Sequence, residues 1–152
     1  MALKIGDILP NFIAKDNNGD WFESKTVVGR KPLVIYFYPK DNTPGCTTEA
    51  CSFRDEYQVF KDLGAEVIGV SNDSVKTHQK FAKKYQLPFI LLSDEDKKLR
   101  KLFGVHNHFF GLIPGRVTFV IDRNGVVILI FDSTNAKKHI EKALHTVKEL
   151  VL

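Results

Sequence analysis

The chain contains two cysteines, Cys46 and Cys51, five residues apart in a strongly patterned segment. An apolar run at residues 32–38 leads into a turn-prone loop, and the loop leads to Cys46 in the first turn of a helical pattern. The first turn of a helix carries partial positive charge and unpaired N–H groups, so a thiol there loses its proton more readily. Because the thiolate is the reactive form, Cys46 is a candidate nucleophile and Cys51 a candidate resolving thiol.

The spacing predicts that the two cysteines cannot form a disulfide while the helix is intact. Positions i and i+5 of an α-helix differ by about 140° and about 7.5 Å of rise, which puts their Cα atoms roughly 8.7 Å apart. A disulfide needs Cα atoms within about 7 Å. Disulfide formation would therefore unwind the first turns and make the pair a redox switch. We expect Cys46, on the apolar stripe, to face a pocket and Cys51 to lie on a flank.

The elements that would position this pair alternate between strand and helix. A hairpin is predicted at residues 11–15 and 20–23, and further strands at 33–38, 65–70, 89–92, 116–121 and 126–131. Helices are predicted from Cys46 to Gly64, from Ser74 to about Tyr85, from Asp94 to about Phe103, and at the end of the chain, with a loop at residues 105–115. This order predicts a single α/β domain over residues 1–152, with a thioredoxin-like fold. In that fold a mixed central sheet is flanked by helices, and here an N-terminal β-hairpin extends it.

Composition and charge exclude several classes of protein. The 152 residues are 43% hydrophobic and 26% charged, and the net charge is +4. The densest basic cluster (Lys97, Lys98, Arg100, Lys101) favours a solvated helix face over a nucleic-acid patch. A nucleic acid is therefore not expected as a partner. No segment has the form of a signal peptide or the length of a membrane span, so a membrane is not expected as a partner either. A cytoplasmic location is the default, and removal of an organelle-targeting segment stays open.

Residues 36–55 run Tyr-Phe-Tyr-Pro-Lys-Asp, then Thr-Pro-Gly-Cys-Thr-x-Glu-Ala-Cys, then Phe-Arg-Asp. This segment closely resembles the active site of the atypical two-cysteine peroxiredoxins, in the subgroup of the bacterioferritin comigratory protein, also called peroxiredoxin Q. The resemblance continues at residues 67–74, 81–89, 92–94 and 115–122, and so covers most of the chain. Asn72 and the loop at residues 106–111 are mild departures from the pattern.

The resemblance implies a thiol-dependent peroxidase that reduces hydrogen peroxide and organic hydroperoxides in antioxidant defence and cell redox homeostasis. Cys46 would be the peroxidatic cysteine, oxidised to a sulfenic acid, and Cys51 the resolving cysteine, which closes an intramolecular Cys46–Cys51 disulfide. Thioredoxin or a similar dithiol protein would reduce that disulfide. No cofactor and no metal are implied, and a monomer is expected because both thiols belong to one chain.

Four further residues take roles by the same resemblance. Thr43 would hydrogen-bond the peroxide and the cysteine sulfur, and Pro39 would shield the thiolate from bulk water. Arg116 would hold the thiolate and the peroxide oxygen with a permanently charged, rigid fork of donors, and Glu49 would orient Arg116. Each also has an ordinary structural explanation: a turn, a strand end, a surface arginine, or an acid in the first turn of a helix.

Two other functions remain alternatives from the residues alone. One is a copper-binding module built on the two cysteines and a distant histidine, and the other is a disulfide oxidoreductase, although that chemistry favours Cys-x-x-Cys. His106 and His108 flank Asn107 without a further ligand nearby, so we expect no metal there. His78 is expected to pack or to cap a helix.

Overall fold

The computed structural model describes residues 3–108 and 113–150, and in these ranges a seven-stranded mixed sheet forms the centre. Its strands follow the order β2-β1-β5-β4-β3-β8-β9. Strands β3, β4 and β5 are parallel neighbours, while β1 pairs antiparallel with β2 and β5, and β8 pairs antiparallel with β3 and β9. The bounds are β1 Ile13–Asp16, β2 Trp21–Glu23, β3 Leu33–Phe37, β4 Glu66–Ser71, β5 Ile90–Ser93, β8 Val117–Ile121 and β9 Val127–Asp132. A separate two-stranded sheet pairs β6 Asn107–His108 with β7 Ile113–Pro114.

The helices within the described ranges are α1 Pro44–Asp62, α2 Val75–Tyr85, α3 Lys98–Phe103 and α4 Ala136–Leu150, with a short 3₁₀ helix at Ser24–Thr26. Helix α1 ends where Gly64 adopts φ +83° and donates its N–H to the Lys61 carbonyl, a conformation that glycine adopts readily. Over the same ranges, no helix combines the length and the apolar character that a membrane crossing needs.

Strand β3 separates two apolar cores, which is why its sequence is continuously apolar. Val34, Tyr36 and Tyr38 belong to one core together with apolar residues of α1, α2 and α4. Leu33, Ile35 and Phe37 belong to the other, with residues of α3 and the N-terminal segment. The alternation follows from the two-residue period of a strand. Helices α1 and α4 thus lie on the same side of the sheet.

This architecture confirms the predicted α/β fold and its N-terminal hairpin, and it corrects four details. Helix α3 begins at Lys98 instead of Asp94, because the Asp94 carboxylate lies before the helix and accepts from the N–H groups of Leu99 and Arg100 (2.9 and 3.0 Å). The predicted loop at 105–115 contains β6 and β7, and its residues 109–112 lie outside the described residues.

The other corrections concern which side chains are buried. The helical period at the end of the chain predicts that Leu150 of α4 lies in the core, but Leu150 is 38% exposed, while His139 is fully buried. The helical period predicts that Val75 and Tyr85 of α2 are buried, but both are only half-buried. His78, which was expected to pack or to cap, is fully buried. Two histidines that hydropathy alone would place at the surface therefore lie inside, and their hydrogen-bond partners explain why.

Candidate active site

Cys46 is the third residue of α1 and is buried, with 1% of its surface exposed. The helix begins after Thr43, and its first backbone hydrogen bond joins the Thr47 N–H to the Thr43 carbonyl at 2.8 Å. The Thr43 side chain does not cap the helix, and Pro44 has no N–H. The N–H groups of Gly45 and Cys46 therefore have no partner within the helix and are available to an anion.

The guanidinium of Arg116 connects Cys46 to Glu49. Its Nη2 donates to Cys46 Sγ at 3.4 Å, and its Nη1 donates to Glu49 Oε1 at 2.5 Å. Arg116 lies directly before β8 and is 8% exposed, so its interpretation as a surface arginine is wrong. Since Cys46 and Glu49 are one helical turn apart, the rigid fork of one arginine reaches both.

Burial and nearby charges shift the pKa values of Glu49 and Arg116. Burial raises the pKa of Glu49 from 4.5 to about 8, and the Arg116 charge and hydrogen bond oppose the rise. Burial alone would lower the pKa of Arg116, but the negative charges of Glu49 and Cys46 more than offset it, so the pKa is raised. Arg116 therefore stays charged beside the sulfur of Cys46.

Two polar side chains that the sequence did not predict as part of the site, His139 and Thr118, lie behind Glu49. His139 of α4 has its Nδ1 3.7 Å from Glu49 Oε2 and 2.8 Å from the hydroxyl of Thr118. Its Nε2 must donate, because it lies 2.7 Å from the carbonyl of Ser133. Burial lowers the pKa of His139, which favours the neutral ring, with Nδ1 accepting from Thr118. Glu49 Oε2 itself has no hydrogen-bond partner among the described residues.

Helix α1 runs unbroken through both cysteines, and the other predicted site residues lie around its first turns. Cys46 and Cys51 are both free thiols, and Cys51 is half-buried on the flank, as the helical spacing indicated. Pro39 is half-buried on the loop between β3 and α1. The hydroxyl of Thr43 donates to the Lys40 carbonyl at 2.9 Å, so in this structure it supports the loop.

Comparison with known proteins gives consistent results. The model of the AhpC/TSA family matches residues 5–130. The chain belongs to the AhpC/TSA family. It is 50% identical over 146 residues to the chloroplastic peroxiredoxin Q of Sedum lineare, which covers 95% of this chain and 78% of that protein. The resemblance to the Q-type peroxiredoxins is thereby confirmed, and the protein is a thiol-dependent peroxidase.

Two solved structures extend the comparison to the whole fold of the peroxiredoxin. Peroxidoxin BcpB from Mycobacterium tuberculosis is 34% identical, with a TM-score of 0.90 over 97% of this chain and 98% of that chain. The bacterioferritin comigratory protein of Xanthomonas campestris is 33% identical, with a TM-score of 0.85 over 93% and 92% of the two chains. These matches favour the peroxidase over the copper-binding module and the disulfide oxidoreductase.

A buried polar network fixes the loop of the peroxiredoxin that precedes Cys46. Asp41 accepts from the hydroxyl of Tyr38 at 2.5 Å and lies 2.6 Å from His78 Nδ1, while His78 Nε2 donates to the Leu92 carbonyl at 2.9 Å. The Asp41 N–H donates to Asp73 at 2.8 Å. Ligand atoms of Asp41, Asp73 and His78 lie within 4.8 Å of one another, but hydrogen bonds within this group already engage them. The network therefore ties the loop before Cys46 to α2 and β5.

Arg100 corrects another expectation from the sequence, next to the candidate active site. The basic cluster was interpreted as a solvated helix face, but Arg100 is only 4% exposed. It lies three residues before the buried Phe103, so helical spacing places it on the buried face of α3. Its guanidinium donates to the carbonyls of Tyr38 (2.8 Å) and Gly115 (3.3 Å) and to the side chain of Asn72 (3.2 Å).

Proposed function

We propose that Cys46 is the peroxidatic cysteine and that Arg116 stabilises its thiolate and the reacting oxygens. The thiolate attacks one oxygen of the peroxide, the O–O bond breaks, and the departing oxygen leaves with the bonding electrons and takes up a proton. Cys46 becomes a sulfenic acid. The observation that carries this proposal is the single guanidinium that contacts Cys46 Sγ and is held by buried Glu49. Donors fixed before the reaction stabilise the developing charge without reorganisation.

The loop residues take the supporting roles that the resemblance implies. The hydroxyl of Thr43 lies one turn before Cys46 and, by rotating away from the Lys40 carbonyl, would donate to the peroxide. Pro39, half-buried on the same loop, would restrict the access of water to the thiolate. The free N–H groups at the start of α1 add positive partial charge at the same place.

Cys51 is proposed to resolve the sulfenic acid. Its thiol condenses with Cys46–SOH to form a disulfide, and one water leaves. Both cysteines lie within α1, where helical spacing puts their Cα atoms roughly 8.7 Å apart, so the first turns of α1 have to unwind. Unwinding would expose the disulfide to an external dithiol protein of the thioredoxin kind, which reduces it by thiol–disulfide exchange.

Substrate, assembly and location complete the proposal. Alkyl peroxide reduction activity is described for the Xanthomonas campestris relative, which supports organic hydroperoxides as substrates beside hydrogen peroxide. Because both thiols lie on one chain, the cycle needs no second subunit, and a monomer is proposed. The cytoplasm stays the expected location, whereas the Sedum lineare relative is chloroplastic, and cell fractionation distinguishes the two.

The test is thioredoxin-coupled turnover of hydrogen peroxide and of cumene hydroperoxide by the wild type and Cys46→Ser. We expect the variant to lose turnover with both substrates, and retained turnover would overturn the assignment of Cys46. Thr43→Val, which is nearly isosteric but lacks the hydroxyl, should lower kcat/KM while leaving the fold intact. A normal rate in that variant would remove Thr43 from the site.

A further inference from the structure

Arg100 joins the ends of three adjacent strands of the sheet. Asn72 directly follows β4, Tyr38 directly follows β3, and Gly115 lies two residues before β8. The sheet order places β4, β3 and β8 side by side. The guanidinium of Arg100 donates a hydrogen bond to each of these three residues, at distances of 2.8 to 3.3 Å.

Two of these anchor points immediately precede residues of the active site. The Tyr38 carbonyl comes directly before Pro39, and the Gly115 carbonyl directly before Arg116. Arg100 therefore fixes the backbone from which the loop towards Cys46 and the Arg116 side chain both originate. Its own helix is held by Asp94, whose carboxylate accepts from the N–H groups of Leu99 and Arg100.

The guanidinium of Arg100 is bound by neutral groups, and two negative charges act on it from nearby. Arg116, by contrast, donates to the carboxyl group of Glu49. The hydrogen bonds of Arg100 go to two carbonyls and an amide, and no carboxylate forms an ion pair with it within residues 3–108 and 113–150. Burying a cation is costly unless negative charge lies nearby. Burial lowers the pKa of Arg100, and the charges of Asp94 and Cys46 oppose this.

We propose that Arg100 is a positioning residue that also supplies a second positive charge for the Cys46 thiolate. Its hydrogen bonds hold the strand ends that carry Pro39 and Arg116, and its positive charge, held at those ends, favours the thiolate over the thiol. The inference rests on the proposed function, in which that thiolate is the nucleophile.

The experiment measures the pKa of Cys46 from the pH dependence of its alkylation by iodoacetamide, in a Cys51→Ser background so that a single thiol reacts. Arg100→Gln should raise that pKa and slow the reaction with hydrogen peroxide at pH 7 several-fold, because the thiolate loses a nearby positive charge and the backbone before Arg116 loses its anchor. Arg100→Lys keeps the charge but loses the fork, so it should recover most of the pKa and less of the peroxide rate. Lys101→Gln removes an equal charge from an exposed neighbour and should change neither.

Asn72 offers a second route that does not depend on removing a buried arginine. Asn72→Asp places a carboxylate at the position that accepts from Arg100 Nε at 3.2 Å, which offsets the arginine charge while the contact is kept. It should raise the pKa of Cys46, and Asn72→Ser, which adds no charge, should raise it less. If Arg100→Gln does not fold, this pair decides the question.

The outcomes separate this inference from the proposed function. If the pKa of Cys46 in both Arg100→Gln and Asn72→Asp equals that of the wild type, the proposed role of Arg100 is wrong, even though Cys46→Ser is inactive. Turnover retained in Cys46→Ser would instead overturn the proposed function. A raised Cys46 pKa in Asn72→Asp, with a far-UV circular dichroism spectrum like that of the wild type, supports the inference.

Discussion

Gly45 gives the sharpest test of the contact between Arg116 and Cys46. A Cβ atom at Gly45 would lie 3.0 Å from Arg116 Nη2 and 3.8 Å from its Cζ. Nη2 is the nitrogen that donates to Cys46 Sγ at 3.4 Å. Gly45→Ala therefore adds a methyl group against the donor itself, and the guanidinium has to shift by a few tenths of an ångström. Glu49, which holds the other nitrogen, limits the directions in which it shifts.

The expected effects on activity and stability have opposite signs. A hydrogen bond to a charged group contributes about 1.5–3 kcal/mol, and partial loss of it, about 1–2 kcal/mol, lowers kcat/KM roughly 5- to 30-fold. Replacing glycine by alanine in a helix stabilises the fold by up to about 1 kcal/mol. Gly45→Ala should therefore react more slowly with peroxide while its melting temperature is unchanged or higher.

The assay is stopped-flow oxidation by hydrogen peroxide together with thermal unfolding. Thr48→Ala is the matched control, because Thr48 is exposed in the first turns of the same helix and its hydroxyl, among the described residues, donates only to the Pro44 carbonyl. The control should keep the peroxide rate. If Gly45→Ala reacts within twofold of the wild type, the close approach of Arg116 Nη2 does not govern the reactivity of Cys46, and the reasoning fails.

Three further variants test neighbouring parts of the account. The pKa of Glu49 is raised to about 8, so its contribution to stability is fully present below about pH 4.5 and is lost as the pH rises towards 8. Urea unfolding of Glu49→Gln should lose less stability over that range than the wild type, and equal losses would contradict the raised pKa. Burial lowers the pKa of His139, so its contribution is present above about pH 6.5 and is lost as the pH falls through the lowered value. His139→Gln should accordingly lose less stability at acid pH than the wild type in the same assay, and an equal loss would contradict this. Cys51→Ser should form the sulfenic acid once and then stall in thioredoxin-coupled turnover, whereas normal cycling would remove Cys51 from the resolving role.

The sequence was sufficient for the fold because each element carries a strong local pattern. The apolar run of β3 and the amphipathic period of α1 fixed their types, and the closing Gly64 marked the end of α1 within two residues. The start of α3 was missed because Asp94 acts as a cap from outside the helix. A capping carboxylate looks the same in the sequence whether it is adjacent to the helix or a few residues ahead of it.

In the active site, too, the sequence predicts some residues and misses others. Cys46, Glu49 and Arg116 were predicted from the motif and its resemblance, and the structure brings them together. Arg100 and His139 were not predicted as site residues, because a charged or polar side chain on a helix is more often exposed than buried. Their burial depends on carbonyls and side chains that come from distant strands, and these are visible only in three dimensions.

The central claim is that Cys46 and Cys51 form one intramolecular redox pair. The most direct measurement is the intact mass and free-thiol count of the reduced protein, before and after one equivalent of hydrogen peroxide. The account predicts the loss of both thiols and a mass lower by about two hydrogens, in a species that remains a single chain. Two thiols that survive minutes at micromolar peroxide would contradict it, because Cys46 would then not be activated.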